Sequence, residues 1–237
     1  MIRTHLLCFF LFLGGSLLAQ DVDLQPIIDS FAIDYLRIAD KQSPLYYGKE
    51  QEGHPRTINH PYLGSVQFAK ARLSYNHVIY PEALLRLDLN RNELMVFSPD
   101  NHNIVLFPEN VDFAELHDQT IIYFRRDSLP GCPSTGYYIL LHSGDCKVLE
   151  KQTASLSRKE TYSRTLEQHF VFTTNFYLYK DDVYYTIRNK RGLLKVLQPY
   201  KKELKRFISY NRLRFRYDPE EFLILTVGEY EKISGSR

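Results

Sequence analysis

The chain has 237 residues, 44% of them apolar, with 18 Tyr and 15 Phe but no Trp, which fits one globular domain or two small ones and excludes a mostly disordered or collagen-like chain. Its 30 Lys and Arg stand against 28 Asp and Glu, a balance too even for a wholesale nucleic-acid binder, which needs a clear basic surplus to neutralise phosphates. Three Cys and no His/Cys cluster argue against a disulfide-dense scaffold or a structural zinc module.

The N-terminus reads as a leader. Arg3 supplies a positive start, residues 6–13 an apolar run, and Gly14, Gly15 and Ser16 a small-residue break before Ala19. Cleavage after Ala19 is expected, giving a signal peptide at 1–19 and a single globular domain at 20–237. The apolar run falls short of the ~20 residues a spanning helix needs, and no later stretch is longer, so no transmembrane segment is expected after cleavage. The sequence therefore predicts a periplasmic or secreted protein. Disulfides persist there, and Cys132 and Cys146 are expected to pair, a loop closure worth roughly 3 kcal/mol in a chain-entropy model.

After the leader, Leu24, Ile27, Ile28, Phe31, Tyr35 and Ile38 recur at three- and four-residue steps and predict an N-terminal amphipathic helix, although Phe31, Ile33 and Tyr35 also alternate as a strand would. Residues 41–63 carry Pro44, Gly48, Gly53, Pro55 and Pro61 and read as a long loop holding His54 and His60. Loops of that length in a compact domain tend to be functional or mobile.

From Gly64 the period changes to two, and residues 64–188 predict an antiparallel β core. Turn chemistry marks its hairpins: Asn90-Arg91-Asn92, residues 99–103, Ser143-Gly144-Asp145 and Asp181-Asp182. Strands joined so tightly are antiparallel, and about nine or ten of them must bury a face by closing as a sandwich or open barrel. Residues 191–233 predict a helical tail of two or three helices. Tyr200, Leu204, Phe207 and Ile208 share a face after Pro199, while Lys201, Lys202, Lys205 and Arg206 take the other. A last helix starts at Asp218-Pro219-Glu220-Glu221, where Asp218 can cap and Pro219 suits the first position, with Phe222, Leu225 and Ile224 toward the core. The fold class is mainly β, of the α+β kind.

Two surfaces invite binding. Residues 180–217 hold twelve Lys and Arg against Asp181, Asp182 and Glu203, a surplus suited to a lipid headgroup, a glycan or an acidic envelope protein, or to the ordinary solvated face of a helix. The adjacent stretches Phe176-Tyr177-Leu178-Tyr179 and Val183-Tyr184-Tyr185 are bulky at consecutive positions, so both faces of that hairpin carry apolar side chains. One face is core; Tyr177, Tyr179 and Tyr184 lie on the other, either covered by the terminal helices or open for stacking.

Signals for catalysis are missing. The histidines are scattered, with His54 and His60 the only loop pair that could approach a metal, and neither a nucleophile elbow nor a glycine-rich phosphate loop is present. No cofactor and no metal is expected.

Several stretches together resemble a family of uncharacterised exported proteins of Bacteroidota. They are Leu45-Tyr46-Tyr47-Gly48, Gly64 followed by a strand pair ending near Tyr80, Leu85-Arg86-Leu87-Asp88, residues 104–106 with Val111-Asp112-Phe113, and Gly136-Tyr137-Tyr138. In the tail, Leu193-Leu194, Lys201-Lys202-Glu203-Leu204 and Asn211 are similar to that family's ending. The chain departs from it after Gly48, where Lys49-Glu50-Gln51 replaces a further aromatic. The resemblance implies an envelope protein and carries no catalytic residue. The expectation is a non-enzymatic binding or accessory protein of the cell envelope; the alternative is a hydrolase of an envelope polymer with its site in the 41–63 loop. An integral outer-membrane barrel fits poorly, because its strands would alternate to the chain end, where this sequence reads as helix.

Overall fold

A computed structural model describes residues 43–160 and 166–235; the leader and the expected N-terminal helix lie outside them. Eleven strands form one antiparallel sheet: β1 (Lys49–Glu50), β2 (Ala69–Tyr75), β3 (Val78–Asp88), β4 (Glu93–Phe97), β5 (Asn103–Val105), β6 (Val111–Leu116), β7 (Gln119–Phe124), β8 (Gly136–Ser143), β9 (Lys147–Glu160), β10 (Leu166–Lys180) and β11 (Val183–Ile187). Their order is β1-β5-β4-β3-β2-β6-β7-β8-β9-β10-β11, so β6 returns across the first hairpins to lie beside β2. Three helices follow: α1 (Lys190–Val196), α2 (Lys201–Tyr210) and α3 (Pro219–Gly235). Among the described residues no helix is long and apolar enough to cross a membrane.

Turn chemistry explains the meander. Asn76-His77, His117-Asp118 and Asp181-Asp182 all hold positive φ, the geometry of two-residue I′ hairpins, which Asn and Asp tolerate best. The sheet does not close, correcting the expected sandwich or barrel. Two different layers make closure unnecessary. In the first half, Leu73, Leu85, Leu94 and Ile121 form a core with Ala154 and Phe170 of the long β9–β10 hairpin. That hairpin bends over the β3–β4 turn: Ala154 N donates to Leu89 O at 3.1 Å and Asn90 Nδ2 to Ala154 O at 2.7 Å. In the second half, Val148, Phe176, Leu178 and Ile187 pack against Leu193, Leu204, Ile208, Phe222 and Val227 of the helices.

The helices follow their local signals with one shift. Asn189 Oδ1 accepts from Gly192 N at 2.9 Å and starts α1, and Asp218 Oδ1 accepts from Glu221 N at 2.9 Å and starts α3 as its sequence predicts. On α3 the buried side is Phe222, Leu223, Thr226, Val227 and Tyr230, so Leu225 and Ile224 stay largely exposed against expectation. β9 also runs to Glu160, well past Leu149. Its run Glu150-Lys151-Gln152 offers no alternating apolar pattern, yet ladder pairing to β10 from Tyr177↔Leu149 to Leu166↔Glu160 carries the strand onward.

Candidate functional site

The aromatic face comes first. Tyr177, Tyr179 and Tyr184 project opposite to Phe176, Leu178 and Ile187, so the helices cover the other side of the sheet. The β7–β8 loop runs along the β11 edge beside the tyrosines, and rings of β7 and β8 pack against them. Tyr184 N donates to Pro130 O at 2.9 Å, and Gly131, at φ +70°, lies so close that a Cβ there would sit 2.1 Å from the Tyr184 carbonyl oxygen. The rings satisfy one another: Tyr179 and Tyr184 centroids are 4.9 Å apart, Phe124 lies 5.5 Å from both Tyr184 and Tyr138, and Tyr177 meets Tyr138 at 6.1 Å. The Tyr179 hydroxyl donates to Asp182 Oδ1 at 2.7 Å. All three tyrosines are half-buried, and burial pushes the Tyr184 phenol up to about 12.

The expected disulfide is absent: Cys132 and Cys146 are both free. β8 supplies the reason. Cys132 precedes its eight residues and Cys146 follows them, so an extended strand of about 25 Å keeps apart two residues whose Cα atoms would have to lie within about 7 Å. Cys132 Sγ instead accepts from Asp127 N at 3.3 Å, and Cys146 is buried beside Glu231, which with burial pushes its thiol up to about 11. Glu231 ties α3 to the β8–β9 hairpin, accepting from Cys146 N at 2.7 Å and pairing with His142 Nε2 at 2.9 Å.

The 41–63 loop does bring two titratable groups together. His54 Nε2 lies 2.5 Å from Asp88 Oδ2, beside a groove of about 490 Å³ lined in part by residues 57–62 and Arg86. Both groups are turned inward. The His54 side chain is 9% exposed and the Asp88 side chain 0%. The imidazole is wedged between Tyr62 at 5.8 Å and Phe170 at 5.2 Å, and Asp88 Oδ1 accepts the backbone amides of Asn90 and Arg91 at 2.8 and 3.0 Å. No hydroxyl or thiol lies in hydrogen-bond contact with His54 among the described residues. His60 stacks on Tyr62 at 5.9 Å and takes its amide at 3.3 Å, so the two histidines do not converge. Arg86, its guanidinium 4.1 Å from both the Tyr62 and Phe68 rings, completes a fastener that staples the loop to β3. Among the described residues no group of three or more His, Cys, Asp or Glu is placed to hold a metal ion.

The basic tail is built differently. α2 buries Leu204 and Ile208 and leaves Lys202, Lys205 and Arg206 exposed, with Lys201 half-buried at its start. These four do not meet in one pocket. The groove lies one element away, between the β11–α1 junction and the α2–α3 connection, and holds about 690 Å³. Its floor is Phe176, Leu213, Phe215 and Pro219, and Arg188, Lys190, Arg214 and Arg216 stand at its rim with Asn189 and no carboxylate. The floor is rigid: Phe215 packs edge-on against Phe176 at 6.0 Å and Phe222 at 5.6 Å. All four cations are exposed, and none of them joins an ion pair among the described residues. Three are Arg, whose planar fork suits carboxylate and phosphate.

Sequence reading counted these cations without singling them out. The missed signal is the alternation Arg212-Leu213-Arg214-Phe215-Arg216, in which Leu213 is buried and Phe215 half-buried while the arginines between them are exposed. Comparison with protein-family models, curated proteins and solved structures returned no match. The functional argument therefore rests on geometry.

Proposed function

We propose that this is an exported, non-enzymatic binding or accessory protein of the cell envelope that holds anionic groups on the outer side of its helical layer. Its resemblance to exported Bacteroidota proteins and the leader at 1–19 support the compartment. The observation that carries the reading is the groove of Arg188, Lys190, Arg214 and Arg216 over Phe176 and Phe215, because its charges have no partner within the described chain. Charges left unpaired around an apolar floor are available to a ligand that is anionic at one end and apolar behind it.

The alternative, hydrolysis of an envelope polymer, draws on the 2.5 Å contact of His54 with Asp88 beside a groove. A general base must present its free nitrogen to a reacting group, and here Tyr62 and Phe170 flank the ring while Asp88 is already spent on two amides. We read the pair as structural.

Isothermal titration of the chain from Gln20 with soluble polyphosphate tests the choice. Binding that weakens steeply with salt and falls at least tenfold when Arg188, Lys190, Arg214 and Arg216 are all changed to Ser supports the proposal. Unchanged binding in that variant refutes it, and release of soluble fragments from purified envelope polymer by wild type but not by His54→Ala would put the hydrolase in its place.

A further inference from the structure

We propose that the α2–α3 connection docks on an anionic lipid bilayer surface, with headgroup phosphates taken by Arg188, Arg212, Arg214 and Arg216 and the rings of Tyr210 and Tyr217 seated at headgroup level. This rests on the anion-binding reading above and names its partner.

Tyr210 and Tyr217, at 88% and 77% exposure, are the two most exposed large hydrophobic side chains described. They stand at the two ends of one short connection, Tyr210 as the last residue of α2 and Tyr217 just before the Asp218 cap of α3. Between them the chain is held firmly. Leu213 N donates to Ile208 O at 3.0 Å, Tyr217 N to Arg214 O at 3.0 Å, and Leu213 and Phe215 are anchored in the helical core. Arg212, Arg214 and Arg216 are thereby turned outward between two bare aromatic rings.

Two largely bare rings flanking three exposed arginines place apolar and cationic groups side by side on one short connection. A bilayer interface rewards that placement, because a tyrosine ring there keeps its hydroxyl wet and its carbons among headgroups and upper acyl chains. An acidic peptide would serve the arginines but would leave the rings bare unless it brought pockets of its own. Positive charge extends beyond the connection: Lys202, Lys205 and Arg206 on α2 are exposed too, and with Arg212, Arg214 and Arg216 they outnumber the acids of the same stretch, Glu203 on α2 and Asp218, Glu220 and Glu221 at the start of α3. No described helix is long and apolar enough to span, so this surface would lie on the bilayer. Each cation brought near an anionic leaflet adds roughly fivefold to partitioning.

The test is co-sedimentation of the chain from Gln20 with phosphatidylcholine vesicles, with and without phosphatidylglycerol. Wild type is expected to pellet only with the anionic vesicles and to be released by salt. Arg212→Ser/Arg214→Ser/Arg216→Ser is expected to weaken partitioning at least tenfold. Tyr210→Ser/Tyr217→Ser should weaken it severalfold while leaving the salt dependence intact, which a purely electrostatic contact would not show. All five side chains are exposed, so circular dichroism should confirm that both variants fold. Equal pelleting with neutral vesicles, or none with anionic ones, overturns the inference. If wild type stays in the supernatant yet still binds polyphosphate through the groove cations, the bilayer is the wrong partner and the anion-binding reading stands. If it instead binds soluble polyglutamate with Tyr210 and Tyr217 contributing, the partner is an acidic protein and the bilayer is excluded. If it binds none of these, both readings fall.

Discussion

Two of the grooves on this sheet use charge in opposite ways. In the groove beside residues 53–62, the charged and aromatic groups are spent inward: Asp88 on His54 and two amides, Arg86 between two rings, Asn59 on both backbone atoms of Phe170 at 2.7 and 2.9 Å. In the groove beside the α2–α3 connection, the aromatic side chains are spent inward and the cations are not spent at all. A histidine–carboxylate pair looks more like a site than a row of arginines does. What separates them is how far the charged groups are committed: His54 and Asp88 are spent on each other and on two backbone amides, whereas the four rim cations of the second groove join no ion pair among the described residues.

That contrast is open to attack at several points. The largest expected effect is at Asp88. Removing a carboxylate that is 0% exposed orphans His54 and two backbone amides, so Asp88→Ala should cost about 4 kcal/mol of stability, read as a lower denaturant midpoint at unchanged slope. A loss below about 1 kcal/mol would mean that the pair is not the fastener described.

Next is Glu150, the register partner of Phe176 under the second groove. Its Oε1 accepts from Gln152 at 2.7 Å, its Oε2 has no partner, and burial pushes the carboxyl up from the ordinary 4.5 to about 7. Between those values the folded chain keeps a proton that the unfolded chain has released. Stability should therefore fall by about 3 kcal/mol as pH rises from about 4.5 to about 7. Glu150→Gln should flatten that slope, and thermal melts across the window check it.

Phe215→Ala should cost about 2 kcal/mol by opening the aromatic stack, and should also weaken polyphosphate binding because the groove loses its floor. The thiols give the smallest effect. Cys132 should react with a thiol reagent in the native state and Cys146 only after unfolding, while a reductant leaves the melting temperature unchanged.

Local chemistry carried much of the fold into the sequence. Asp181-Asp182 marked a hairpin because few other residues accept its positive φ, Ser143-Gly144-Asp145 because small and turn-forming residues interrupt two apolar strands, and Asp218 marked the start of α3 because helix amides need an acceptor. Features set by distant partners stayed hidden. The outer half of β9 is held chiefly by ladder bonds, with Ala154 as its contribution to the core, so its mostly polar residues gave no signal. Asp88 lies 34 residues from His54, and nothing local pairs them. A bridge between Cys132 and Cys146 was expected to close across a strand, and it is the extended length of that strand, eight residues in β8, that keeps the two thiols apart. Of the candidate site, the basic surplus was legible as a count. The four rim cations were not, because it takes the folding of β11 against the α2–α3 connection to bring Arg188 and Lys190 to Arg214 and Arg216.

Polyphosphate affinity measured in parallel for Arg188→Ser/Arg214→Ser/Arg216→Ser and for His54→Ala tests the contrast between the grooves most directly. The first variant should lose at least tenfold in affinity at unchanged stability, and the second should bind within twofold of wild type while melting earlier, in line with the small stability cost of exposed charge and the large one of buried pairs. The reverse pattern, with binding lost at His54 and kept without the arginines, would contradict the account.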